Sequence, residues 1–517
     1  MSTNLPNLPI GVQDFEELRS KNFLYIDKTK LLYELVSTSK YYFLSRPRRF
    51  GKSLLLSTLK TYFLGKKELF HGLAIENFES DWKEHPVLYI DLNSGEYRDE
   101  QSLRKRLYSV LRSWEDIYGR GDEDTELPIR FEGVIRRAYE KTGRQVVILV
   151  DEYEKPLLAA IENSELQDTF RNILRAFYSV LKSMDACIRF ALLTGVTKFG
   201  HLSIFSSLNN LKDISMDSRY FNVCGIDKDE MTTVLRPYVE RLAEKQSMSI
   251  DETYAEIKRR YDGYHFTKDA VDGVYNPFSV LWALDSLDFG SYWFSTGTPS
   301  YLVTMLKSHD YNLERLTTEE VTADVLSAIE SDDPVPLFFQ SGYLTIKSYD
   351  QRFGSYRLGF PNEEVREGFF RYLMPAYVPK EIGNSGFQIK NFVKELESGR
   401  VHDFMARLKS FLAESPYDLV REQENHFQNV LYILCNLCGL YTRAEYRTSQ
   451  GRIDMTIETD KYVYIFEFKF DKTAELALQQ IKDNNYTLPF QSSGKQIICL
   501  GVNFSSKIRN IDDYLIG

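Results

Sequence analysis

The stretch from Lys40 to Phe63, KYYFLSRPRRFGKSLLLSTLKTYF, constrains this chain more than any other. It begins as an apolar strand through Tyr41, Tyr42, Phe43 and Leu44 and breaks at Pro47. It then passes Gly51-Lys52-Ser53 and continues as an apolar-periodic helix carrying Leu54, Leu55, Leu59 and Phe63. A strand, loop and helix in this order suit a phosphate group, because backbone N–H groups at the helix start point at the anion and the helix dipole favours its charge. Lys52 is expected over the outer phosphates and the Ser53 hydroxyl on Mg²⁺. In the pattern G-x-x-x-x-G-K-[ST], Arg46 takes the place of the first glycine. With Pro47, Arg48, Arg49, Phe50, Gly51, Lys52 and Ser53 it makes up the expected nucleotide-binding loop, with three cations beside the phosphates. An ordinary basic strand-to-helix turn is the alternative reading.

A second stretch weighs against that alternative. Val146-Val147-Ile148-Leu149-Val150 has no polar alternation, the mark of a central strand buried on both faces of a parallel sheet, and it ends in Asp151-Glu152. Carboxylates at the end of such a strand are where a P-loop ATPase holds Mg²⁺ and polarises water. Asp151 is the expected metal ligand and Glu152 the candidate base.

RPRRFGKSL, ILVDEYEKPL and the N-terminal LPIGVQDFEELRSKNFLYIDKTKLL resemble the bacterial family of predicted AAA-ATPase-like proteins, many of which carry a C-terminal PD-(D/E)XK nuclease-like domain. In that family the Arg-Pro-Arg-Arg-Phe-Gly-Lys-Ser form of the loop is usual. The resemblance implies an α/β protein: a P-loop ATPase parallel sheet with a helical lid, followed by an α/β restriction-endonuclease-like domain. ATP and Mg²⁺ are the implied cofactors.

Length and composition agree with this picture. A chain of 517 residues suits about two to four domains, and 43% hydrophobic with 27% charged residues is the make-up of a folded soluble protein. The net charge of -10 argues against wholesale nucleic-acid binding, so any such contact must be local. The five cysteines, Cys187, Cys224, Cys435, Cys438 and Cys499, are scattered in apolar surroundings and read as reduced thiols; the Cys435/Cys438 pair lies in an apolar helix with no second pair to complete a zinc site. No basic, apolar leader and no run of ~18 apolar residues is present, so the expectation is a cytoplasmic protein without a membrane partner.

In chain order, Pro86 to Asp91 and Ile188 to Gly195 read as further strands alternating with helices, which argues a parallel sheet with ligands at the strand ends. In ATPases of this broad group a polar residue ending the last strand senses the γ-phosphate. Thr194 is this chain's candidate, with Lys198 as a second, and Arg219 is the candidate for reaching the nucleotide of a neighbouring subunit in a homo-oligomer. The expected domains are an AAA-like P-loop ATPase domain over 1–225, a helical lid or winged-helix-like region over 226–300, a connecting helical region with a small β element over 301–390, and the nuclease-like domain over 391–517.

The last domain carries its own constellation. Gly451 to Ile457 and Tyr462 to Phe470 read as a hairpin whose second strand puts Glu467 and Lys469 on one face and Phe466, Phe468 and Phe470 on the other. Asp454 on the partner strand can reach Glu467, so Asp454 and Glu467 are the expected metal ligands, with Lys469 beside them to position water. A divalent ion that activates water and neutralises the leaving oxygen is what phosphodiester hydrolysis needs. This is the D…E-x-K signature of PD-(D/E)XK nucleases; a cross-strand salt bridge on a solvated face is the alternative. Glu422 upstream and Gln480 downstream are the further candidates. Two functions follow. One is an ATP-binding and ATP-hydrolysing protein coupled to Mg²⁺-dependent cleavage of nucleic acid, DNA favoured over RNA, with defence or mobile DNA as the setting the resemblance implies. The other is a nucleotide-dependent switch or scaffold whose C-terminal domain only binds.

Overall fold

The computed structural model describes residues 5–198, 204–205, 210–269, 272–294, 300–308, 311–327, 333–377, 385–413, 423–439, 443–446 and 454–517. The chain divides into two compact units, one of residues 1–293 with 320–362, the other of residues 294–319 with 363–517. Among the described residues no helix is long and apolar enough to cross a membrane.

The first unit is built on five strands, β1 (Tyr41–Ser45), β2 (Val87–Asp91), β3 (Val146–Asp151), β4 (Ile188–Gly195) and β5 (Lys212–Asp213), in the order β2-β3-β4-β1-β5 and all parallel. Every residue of β1 and β3 is buried, which is why these strands are apolar runs without alternation. Helices α1 (Lys52–Phe63), α2 (Glu100–Tyr118), α3 (Leu127–Thr142) and α4 (Ser164–Ser183) connect them. The placement of β4 between β1 and β3 brings three strand ends together: Ser45, Thr194-Gly195 and Asp151 all lie at one sheet edge.

Helices α5 (Lys228–Thr233), α6 (Arg236–Gln246), α7 (Ile250–Tyr261) and α8 (Pro277–Ser286) follow. They start from side-chain caps where the sequence supplies them: Asp227 and Ser249 make capping boxes with Glu230 and Glu252. Met231, Leu235, Tyr238, Val239, Leu242 and Ile257 form their shared core. The unit then resumes after residue 320. Strand β6 (Glu320–Thr322) leads through the short helices α9 (Ala323–Ser327) and α10 (Val335–Gln340) into the hairpin β7 (Thr345–Asp350) and β8 (Ser355–Gly359), an antiparallel sheet in the order β6-β8-β7. Residues 320–362, read from sequence as part of a connecting region, thus pack within the first unit.

That returning segment closes on the loop after β1. Gly342, at φ +88°, comes so near Pro47 that a Cβ would lie 2.6 Å from the proline ring, and Gln340 Oε1 accepts the Lys198 N–H at 2.5 Å. Trp293 Nε1 donates to the Arg48 carbonyl at 3.2 Å, and Phe50 packs edge-on against Tyr264 and Phe266.

The second unit contains a mixed sheet in the order β13-β12-β11-β10-β9, from β9 (Arg443–Tyr446), β10 (Met455–Glu458), β11 (Tyr462–Phe470), β12 (Gln496–Ser505) and β13 (Asn510–Ile516). Only β11 and β12 run parallel, joined through helix α11 (Ala474–Asp483). Gly501 permits this crossover, since a Cβ there would sit 2.5 Å from the Leu478 backbone nitrogen.

Arg46 requires a correction. Read from sequence as a cation beside the phosphates, it is buried, and its guanidinium donates to the carbonyls of Ser45 (2.9 Å), Ser215 (2.7 Å) and Tyr220 (3.1 Å) while lying 4.2 Å over the Phe266 ring. Burial pulls its pKa down to about 10, and its side chain braces the end of β1. Replacement by Ala leaves three carbonyls without their donor, so Arg46→Ala should lose about 3 kcal/mol of stability in chemical denaturation. A guanidinium spent on phosphate would instead leave the unfolding midpoint unchanged.

Candidate functional site

The phosphate-loop candidates meet at the edge where β1, β4 and β3 end. Helix α1 starts at Lys52 with Gly51 as N-cap, and Gly51 adopts φ +93°, a conformation that suits glycine. Among the described residues no side chain caps this helix start, and beyond its chain neighbours none comes within 4 Å of where a Gly51 Cβ would be. First-turn N–H groups with open space before them form a cradle that fits a phosphate. Lys52 is only 5% exposed, and its Nζ donates to the carbonyls of Arg46 (2.9 Å) and Pro47 (3.2 Å), which folds the loop over the amine.

Asp151 joins the three strand ends. Its Oδ2 accepts the Ser53 hydroxyl at 2.6 Å and its Oδ1 the Thr194 hydroxyl at 2.8 Å. A hydroxyl and a carboxylate so close suit a hard divalent cation. Glu152 follows in a left-handed conformation, φ +51°, and is half-buried; a non-glycine residue there stores strain of about 1 kcal/mol or more, a cost that concentrates at functional sites. Of the other loop cations, Arg49 is exposed and lies 4.7 Å over the Phe278 ring. Lys198, read as a second sensor, is instead paired with Asp213 at 2.6 Å, and Arg219 is held by Asp217 at 2.5 Å.

Sequence reasoning missed Glu154. It is 1% exposed, its Oε1 accepts the N–H groups of Val196 (2.5 Å) and Thr197 (2.9 Å), and its Oε2 is buried without a hydrogen-bond partner among the described residues. Gly195 makes room for it, because a Cβ there would collide with Oε2. Burial, helped by the charge of Glu152, pushes its pKa up to about 7. The signal was the third acid in DEYE, but its burial follows from the neighbouring strand, which no local pattern reveals.

In the second unit, antiparallel pairing of Met455 with Phe466 continues to put Asp454 opposite Glu467. Asp454 Oδ2 accepts the Phe468 N–H at 2.9 Å. Glu467 is 1% exposed; its Oε1 accepts from Lys469 Nζ at 2.9 Å and its Oε2 is a buried oxygen with no partner among the described residues. Lys469 Nζ also donates to Gln480 Oε1 at 2.7 Å, and the Gln480 amide reaches the Tyr486 hydroxyl at 3.5 Å. Desolvation and the charge of Glu467 raise the Asp454 pKa to about 7, and desolvation raises that of Glu467 too. A buried acid with an orphaned oxygen and a half-buried acid beside it, short of positive charge, fit a divalent cation. Asp454, Glu467, Lys469 and Gln480 therefore come together from the residue just before β10, from β11 and from α11; Glu422 lies outside the described residues.

Comparison with known proteins follows the same division. Residues 9–205 match the family described as Predicted AAA-ATPase, and residues 422–514 match the PD-(D/E)XK nuclease superfamily. A protein of Azotobacter chroococcum mcd 1, described as an uncharacterized protein in the vnfD 5' region, is 38% identical over 523 residues, spanning 98% of this chain and 98% of its own length.

Glu154 yields a pH test. Its folded pKa lies above the unfolded value, so the folded state holds the proton more tightly and stability falls as pH rises from about 4.5 to about 7. Glu154→Gln keeps the acceptor for Val196 and Thr197 but cannot ionise. Its melting temperature should exceed that of the wild type by a few degrees at pH 8, with the difference vanishing near pH 4, as read by differential scanning calorimetry.

Proposed function

From a chain that belongs to the family of its Azotobacter relative, with an AAA-ATPase-like N-terminal part and a PD-(D/E)XK nuclease superfamily part at the C-terminus, we propose an ATP-driven nuclease in which nucleotide at the loop over 46–53 licenses cleavage of DNA in the second unit. The observation that carries the cleavage reading is the buried Glu467 oxygen that has no partner among the described residues beside Asp454, with Lys469 bonded to the other oxygen and Gln480 bonded to Lys469. A buried ionisable carboxylate is costly unless positive charge meets it, and Lys469 meets only one of its oxygens.

Asp454 and Glu467 are the residues that would hold a divalent cation. The chemistry such an ion supplies at a phosphodiester is charge neutralisation and a lowered pKa for water. Lys469, fixed between Glu467 and Gln480, orients a water by donating from a restrained ammonium, and Gln480 keeps that ammonium from swinging away. In the first unit, Lys52 and the first turn of α1 would bind the outer phosphates, Ser53 and Asp151 would hold Mg²⁺, and Thr194, bonded to Asp151, would sense the γ-phosphate. Glu152, next to Asp151, is the base that takes the proton from the attacking water.

The test is cleavage of linear and circular duplex DNA, single-stranded DNA and RNA, with Mg²⁺, with and without ATP. Lys469→Ala should reduce cleavage about a hundredfold or more and leave ATP hydrolysis intact, whereas Lys52→Ala should abolish ATP hydrolysis and uncouple cleavage from nucleotide. A wild type that binds ATP through Lys52 yet cuts no substrate under any nucleotide condition would overturn the nuclease reading in favour of a nucleotide-dependent binding module.

A further inference from the structure

A protein of net charge -10 that acts on a polynucleotide must meet it over a restricted surface. One element outside both sites has the required make-up. Strand β6, two short helices, and then a hairpin whose second strand lies in the middle of the sheet is the connectivity of a winged-helix motif, with β7 and β8 as the wing. This lies downstream of the 226–300 region where the sequence suggested it.

The wing departs from the acidic balance of the chain. KSYDQRFGSYR, residues 347–357, holds three cations, Lys347, Arg352 and Arg357, against the single acid Asp350. That acid is engaged in the turn: its Oδ1 accepts the N–H groups of Arg352 (2.8 Å) and Phe353 (3.1 Å), and its carbonyl accepts that of Gly354 at 2.8 Å. The turn so fixed presents Arg352 and Phe353 at its apex. Phe353 is 67% exposed, and the Arg352 guanidinium stands 5.0 Å from its ring centroid. A large aromatic ring this exposed adds nothing to the core, and on the same turn a guanidinium stands beside it.

The flanks continue the pattern. Tyr349 packs against Tyr356 with ring centroids 4.7 Å apart, and Lys268 Nζ lies 4.8 Å over the Tyr349 ring. Arg357 is exposed on β8; its register partner on β6 is Glu320, which accepts a hydrogen bond from Ser355 at 2.5 Å. Lys347 reaches the Pro361 carbonyl at 3.3 Å and is the least available of the cations.

We propose that this wing docks duplex DNA. Arg352, Arg357 and Lys268 meet backbone phosphates, and Phe353 inserts as an apolar wedge at a base step in the minor groove, the combination by which minor-groove proteins trade partial unstacking for a bent, more closely wrapped duplex. The site rests on the nuclease reading for its relevance but not for its detection.

The test measures binding rather than cutting. Full-length Lys469→Ala protein, with or without the further changes Arg352→Ala and Phe353→Ala, is titrated against a labelled DNA duplex, a DNA single strand and an RNA duplex by fluorescence anisotropy over a range of salt. The wing changes should weaken duplex binding about tenfold or more and flatten the log–log salt dependence by about one charge for the arginine removed, with melting temperature unchanged. Equal affinity and salt slope with and without the wing changes, no binding by either protein, or a preference for single strands or RNA would overturn the proposal. Wing-dependent duplex binding by a chain whose wild type cuts nothing would support the wing while removing the nuclease reading.

Discussion

The first unit depends on a constraint of sheet order: β4 lies between β1 and β3, so the carboxylate of Asp151 is met both by Ser53 on the helix after β1 and by Thr194 at the end of β4. Parallel strands buried on both faces can offer polar groups only at their ends. The Ser53–Asp151–Thr194 chain is therefore where a sheet of otherwise continuous apolar runs opens to chemistry. Glu154 extends the same polar line inward, holding the turn after β4 by its backbone.

The two sites handle buried negative charge in different ways. Asp151 disperses its charge over two hydroxyls, whereas Glu467 offers one oxygen to Lys469 and leaves the other unpaired, and Asp454 opposite it is pushed toward neutrality. A carboxylate pair left in that condition favours whatever brings positive charge to it. Gln480 contributes by tying down the lysine rather than by adding charge.

Much of this was legible in the sequence because it is local. The apolar runs at Tyr41–Leu44, Val146–Val150 and Ile188–Leu193 are strands, and Tyr462–Phe470 pairs with the segment after Asp454 as its alternation demanded. What could not be read depends on distant partners. Arg46 looked like any loop cation until the carbonyls of Ser215 and Tyr220 claimed it. Glu154 is buried only because Gly195, on another strand, leaves it space. The return of residues 320–362 to the first unit carries no local signal at all, since Gly342 meets Pro47 across nearly three hundred residues of chain.

That return gives the chain an unusual threading. The first unit is interrupted by residues 294–319, which belong to the second, so the polypeptide passes between the two at three points. During synthesis the phosphate loop emerges early, yet the wall that Gln340 and Gly342 build against it leaves the ribosome only after the interrupting segment has been made. The first unit must wait in a partly finished state, and a single crossover between genes cannot exchange one unit for a foreign one without cutting into the other. Such a chain is inherited as one piece, consistent with a relative that matches it over 98% of both lengths.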